Sequence, residues 1–147
     1  MKKSASLSES ASLKQEFWQE FNNHADSNAA FVKNFKLRTP QAQHWYDLAV
    51  GSSAYHIDMT VNTQKNVITA GIYINDDKTI YAKFKDHAEE IEKELGTIVE
   101  WRDAKKASRF FVSQTFVIDK RDEWEQGFTW LYEMCLKIKA VIKKYDK

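Results

Sequence analysis

At 147 residues, 43% hydrophobic and 14% aromatic, the chain is long enough for one well-packed domain and too apolar for a disordered segment. Its 22 basic and 21 acidic residues leave a net charge of +1, so overall charge gives no support to a protein that mainly coats nucleic acid or a membrane surface. A lone cysteine, Cys135, excludes an intramolecular disulfide and a thiolate-rich zinc site, and no apolar run approaches the roughly 20 residues of a membrane span.

From the N-terminus, residues 1–12 (MKKSASLSESAS) are polar and of low complexity and read as a flexible leader before a single domain over 13–147. Two lysines there precede Ser, Ala and Glu instead of an apolar signal stretch, so a cytoplasmic protein is expected. Ser12 is placed to cap a helix starting at Leu13, with Glu16 near its positive end. Leu13, Phe17, Trp18 and Phe21 form its apolar stripe, and a shorter helical stretch follows from Asp26 to Phe35. Arg38-Thr39-Pro40 breaks that pattern.

The rhythm then changes to period two. Trp45–Val50, Tyr55–Val61 and Val67–Ile74 read as strands joined by hairpin turns. Tyr55, Ile57, Met59 and Val61 alternate with His56, Asp58 and Thr60, and Ile68, Ala70, Ile72 and Ile74 alternate with Val67, Thr69, Gly71 and Tyr73. Such alternation marks a sheet covered on one side. Asp76 or Asp77 caps a helix through Leu95 that Gly96 stops. Ile98–Arg102 and Ser108–Ile118 read as a further strand pair across the turn 103–106. Trp124, Phe128, Leu131, Cys135, Ile138 and Ile142 step by four and three along a last helix, whose end carries Lys137, Lys139, Lys143, Lys144 and Lys147. The expected fold is a two-layer α+β domain in the order α-βββ-α-ββ-α, with a roughly five-stranded antiparallel meander sheet and three main helices.

With these elements placed, the stretches QHWYDLAVGSSAYHIDMTVN (Gln43–Asn62), EIEKELG (Glu90–Gly96), Val99-Glu100-Trp101, KKASR (Lys105–Arg109), Trp124 and Trp130-Leu131 together resemble the domain of unknown function (DUF) 4268 family. The resemblance runs from Phe17-Trp18 to the last helix. It implies a domain that often forms the C-terminal part of longer bacterial or archaeal proteins, some with a nuclease-like N-terminal domain. Members often carry an acidic residue near the position of Gly71, and this chain has none there.

The element order also occurs in restriction-endonuclease-like folds, whose site needs an acid on the second strand and an acid-x-lysine on the third to hold Mg²⁺ and orient water. Asp58 sits on the second strand with outward parity, and Glu16 or Glu20 can approach from the first helix. The third strand, VITAGIYI, supplies neither acid nor lysine. A degenerate or unusual Mg²⁺-dependent nuclease, with Asp58 and Glu16 as metal ligands, is therefore the alternative reading. His44, His56 and Asp58 form a conceivable metal or acid–base set, although polar residues are expected on the open face of a half-buried strand. Cys135 lies on an apolar stripe, which predicts burial rather than reactivity.

Lys105, Lys106 and Arg109, and separately Lys143 and Lys144, offer two basic sites for phosphates, with Trp101, Phe110 and Phe111 near the first as stacking rings. If three helices cover one sheet face, the other carries Trp45 or Tyr46, His56, Thr69, Tyr73 and Phe111, an aromatic set of the kind that marks a partner surface. No cofactor motif and no catalytic residue emerge. The expected function is a non-catalytic binding or accessory module acting through protein contacts, with a partner protein or a second copy of the chain, and with nucleic acid as a further partner class.

Overall fold

A computed structural model describes residues 8–146. Its helices are α1 (Glu9–His24), α2 (Ala29–Asn34), α3 (Lys78–Lys85), α4 (Ala88–Leu95) and α5 (Trp124–Tyr145), and its strands are β1 (Trp45–Leu48), β2 (Tyr55–Asn62), β3 (Val67–Ile74), β4 (Glu100–Asp103) and β5 (Ser108–Thr115). The architecture is the expected α+β fold, and α2 lies within the short helical stretch expected between Asp26 and Phe35, beside the main helices.

The five strands form one antiparallel sheet in the order β1-β2-β3-β5-β4. The first three strands run as a meander. After α4 the chain reaches the outer edge as β4, then turns back as β5 to pair with β3. Ile57, Met59, Val61, Ile68, Ala70, Ile72, Phe110 and Val112 all point to one side and are buried there. Against them lies the apolar stripe of α5, including Phe128, Leu131, Cys135 and Ile138. α1 adds Phe17, Trp18 and Phe21 to the same core, where the Phe21 ring meets those of Phe31, Tyr46, Phe128 and Tyr132 at centroid distances of 4.8–5.9 Å. Burial of such rings is the main stabilising term.

Several boundaries differ from the sequence expectation, each for a local reason. α1 begins at Glu9 rather than Leu13, because the Ser8 hydroxyl accepts the Ala11 N–H at 3.1 Å and so takes the capping role expected of Ser12. The remainder of the expected leader, residues 1–7, lies outside the described residues, as does Lys147. The single helix expected up to Leu95 is two. Asp77 caps α3 through the Ile80 N–H and Gly96 closes α4 at φ 76°, as read from the sequence, but Asp86 and His87 interrupt the path. The bend lets Tyr81 and Phe84 face the sheet while Ile91 and Leu95 pack towards α5. β4 starts at Glu100, leaving Ile98 79% exposed, and β5 ends at Thr115. No helix among the described residues is long and apolar enough to cross a membrane.

Candidate functional site

The strand register arranges the outward-pointing side chains in rows across the uncovered face. His56, Tyr73, Arg109 and Arg102 form one row, Asp47, Asp58, Gly71, Phe111 and Glu100 the next, and Trp45, Thr60, Thr69 and Ser113 the third. A cleft of about 340 Å³ opens among them, lined by strand residues and His44 and by no helix. Trp45 stands at its rim, 41% exposed, with the His44 ring edge-on at 4.9 Å.

Arg109 organises the cleft. Its guanidinium lies 4.2 Å from the centroid of the Phe111 ring and reaches across β3 to Asp58 on β2, donating through Nη2 at 3.2 Å and 3.5 Å. Gly71 stands between Asp58 and Phe111 in register and puts no side chain in the way. A Cβ at Gly71 would sit 2.2 Å from the Phe110 carbonyl oxygen, so β3 and β5 approach too closely for any other residue without a backbone shift. The Arg109 Nε is buried and has no hydrogen-bond partner among the described residues. Asp58 is only 6% exposed, and burial holds its carboxyl above the usual carboxylate range, against the opposing pull of Arg109.

A second pair spans the same two rows. His56 approaches Asp47 at 3.4 Å through Nε2 and stacks on the Tyr73 ring at 5.3 Å. The hydrogen bond to Asp47 raises the imidazole pKa, burial opposing it. Asp58 thus has a guanidinium beside it, and Asp47 an imidazole that is cationic when protonated. Deeper on the face, the Thr60 and Thr69 hydroxyls meet at 2.5 Å.

Arg109, His44 and Thr60 also form one wall of an adjoining hollow of about 330 Å³, whose other side comes from Lys14 of α1 and from the β2–β3 turn. No carboxylate lines that hollow. The His44 pKa is lowered, first by burial and then by the charges of Lys14 and Arg109, as expected where the local potential is positive.

The family model described as Domain of unknown function (DUF4268) matches residues 13–146. The chain belongs to the DUF4268 family. No curated protein and no solved structure matches it. The matched span of this DUF4268 chain takes in every residue of the two hollows just described.

The residues singled out in the sequence fall in separate places. Trp45, His56, Tyr73 and Phe111 share the open face with Asp58, but Phe111 is only 6% exposed beneath Arg102 and Arg109. Tyr46, the other choice at the start of β1, points inward, and its hydroxyl donates to Asn22 at 2.8 Å. Lys105 and Lys106 lie in the β4–β5 turn, apart from the Arg109 role they were grouped with. Of the rings read as stacking platforms beside them, Phe110 is fully buried and Trp101 packs on it at 4.5 Å, because both point to the helical side. Lys143 and Lys144 end α5, where Lys144 pairs with Glu94 at 3.0 Å.

Glu16 does not meet Asp58. It holds Arg121 through two hydrogen bonds of 2.5 and 2.8 Å in a groove between α1 and the start of α5. Among the described residues no three His, Cys, Asp or Glu side chains are grouped so as to hold a metal ion. Cys135 is fully buried, and burial pushes its thiol pKa up, away from reactivity. Asp47 and Lys14 were not singled out in the sequence. Asp47 follows from parity once β1 is paired with β2, whereas the approach of Lys14 depends on how α1 sits against the sheet.

Proposed function

We propose that this DUF4268 chain is a non-catalytic binding module that meets its partner through the open face of the sheet. The observation that carries the reading is the uncovered cleft itself. An exposed tryptophan, a His56–Tyr73 stack and a laterally held arginine share one concave surface on a rigid sheet. Aromatic and arginine side chains are those most often found at the energetic centre of interfaces. A tight core and five paired strands support the face from behind, so little ordering entropy opposes an encounter. The reading puts the module in the cytoplasm, where a chain with one buried thiol needs no disulfide.

The test is affinity capture with the wild-type chain, with Trp45→Ser/Tyr73→Ser, and with Glu133→Gln as a control on α5. A partner held by the wild type and the control, and lost by the face variant, is the expected result. Sedimentation of the purified chain tells whether that partner is a second copy. Recovery of the same partners by all three proteins would overturn the reading. Incubation with DNA and Mg²⁺ should give no cleavage that Asp58→Ala removes, and such cleavage would favour a nuclease instead.

A further inference from the structure

The two adjoining hollows differ in chemistry although they share the wall of His44, Thr60 and Arg109. One presents flat rings, and the other presents cations without a carboxylate. Phosphate and base alternate in the same way along a nucleic-acid strand. Resting on the reading that the open face is the binding surface, we propose that the face takes a single-stranded nucleic acid, with a phosphate in the hollow of Lys14, His44 and Arg109 and an unstacked base on Trp45.

Charge complementarity points to the anion. Asp58 engages Arg109 only through Nη2 and Nε is buried, so Nη1 is the guanidinium nitrogen left for a second acceptor. Thr60, Asn62, Thr63 and Gln64 surround the same hollow with neutral hydrogen-bonding groups. These suit phosphate oxygens, which accept from side chains of this kind without regard to base sequence.

The ring points to a single strand. Trp45 is 41% exposed and stands at the rim, whereas the bases of a duplex are stacked on one another and offer no free π-face. The Tyr73–His56 stack lies further along the cleft and offers the next base a second platform. With overall charge near neutral, affinity has to come from this local arrangement, so binding is modest and falls with salt.

Fluorescence anisotropy with labelled oligothymidine and oligouridine of about 10 nucleotides, and with a duplex of equal length, tests the assignment. Saturable binding of one or both single strands is expected at low salt, weaker for the duplex. Trp45→Ala should weaken it roughly tenfold with the salt slope unchanged. Lys14→Gln should reduce the slope by about 0.7, one phosphate contact. Both side chains are accessible, and a circular-dichroism melt confirms that the variants fold. Absence of saturable single-strand binding at low salt would overturn the proposal, as would equal binding of duplex with no effect of Trp45→Ala. A protein partner captured through the face, with no nucleic-acid binding, would end this inference and leave the binding-module reading standing.

Discussion

Asp58 holds a carboxyl almost wholly inside a sheet face that the chain leaves open, and burial raises its pKa despite the neighbouring guanidinium. A raised folded pKa means that the folded chain binds this proton more tightly than the unfolded chain does. The group therefore favours the fold most at acid pH, and its contribution declines as pH rises from the unfolded value through the folded one. At neutral pH the carboxylate relies on Arg109. Arg109→Met keeps much of the packing on Phe111 and removes the charge. It should cost roughly 1–3 kcal/mol at neutral pH and distinctly less once acid has protonated Asp58. Urea unfolding at the two pH values measures this, and an equal loss at both would assign the whole effect to packing. The two aspartates differ in how readable they are. Asp58 stood out by its outward parity in a long alternating strand, whereas Asp47 lies in a strand of only four residues, where alternation is a weak signal.

Among the elements, β3 bears most on the site, since all eight of its residues pair with both β2 and β5. Its alternation was plain in the sequence, and its bounds fall where the pattern put them. What the pattern did not reveal is why Gly71 interrupts it. The register sets that glycine under the path of Arg109 and against the backbone of β5, so Gly71→Ala forces either the strands or the pair apart. A loss of roughly 1–3 kcal/mol is expected, with Asp58 and Arg109 resonances shifted in NMR spectra. An unchanged melting temperature would show that the strands give way freely. The break between α3 and α4 was hidden for a related reason. Ile80, Phe84, Ala88, Ile91 and Leu95 keep helical spacing across it, and only the need to reach both the sheet and α5 bends the path.

Across the whole molecule, α5 ties the ends together. Asp146, just past its last turn, accepts a hydrogen bond from the Tyr55 hydroxyl and pairs with Lys83 at 3.1 Å, joining the start of β2, α3 and the C-terminal end. The Tyr55 hydrogen bond first, and Lys83 after it, hold this carboxyl below the usual range. A depressed folded pKa gives stability that is present above the unfolded value and lost as pH falls through the folded one. Asp146→Asn should thus lower stability by about 0.5–1.5 kcal/mol at neutral pH and by little in strong acid. Thermal melts of the two proteins at both pH values check it.

Periodicity alone determined the class of this protein, its strands, its long last helix and the inward burial of Cys135, because those features repeat at fixed local spacing and each repeat reinforces the assignment. It also determined which residues of β2 and β3 would point away from the core. The tertiary structure decided the rest: that β5 inserts beside β3, that Arg109 leaves the turn lysines to pair with Asp58, that Phe111 is roofed over, and that Lys14 comes to the edge of the cleft. The Arg109–Asp58 pair alone joins residues 51 positions apart in the chain, and no local pattern encodes such contacts. Strand order and side-chain reach are fixed only when the apolar faces close on one another.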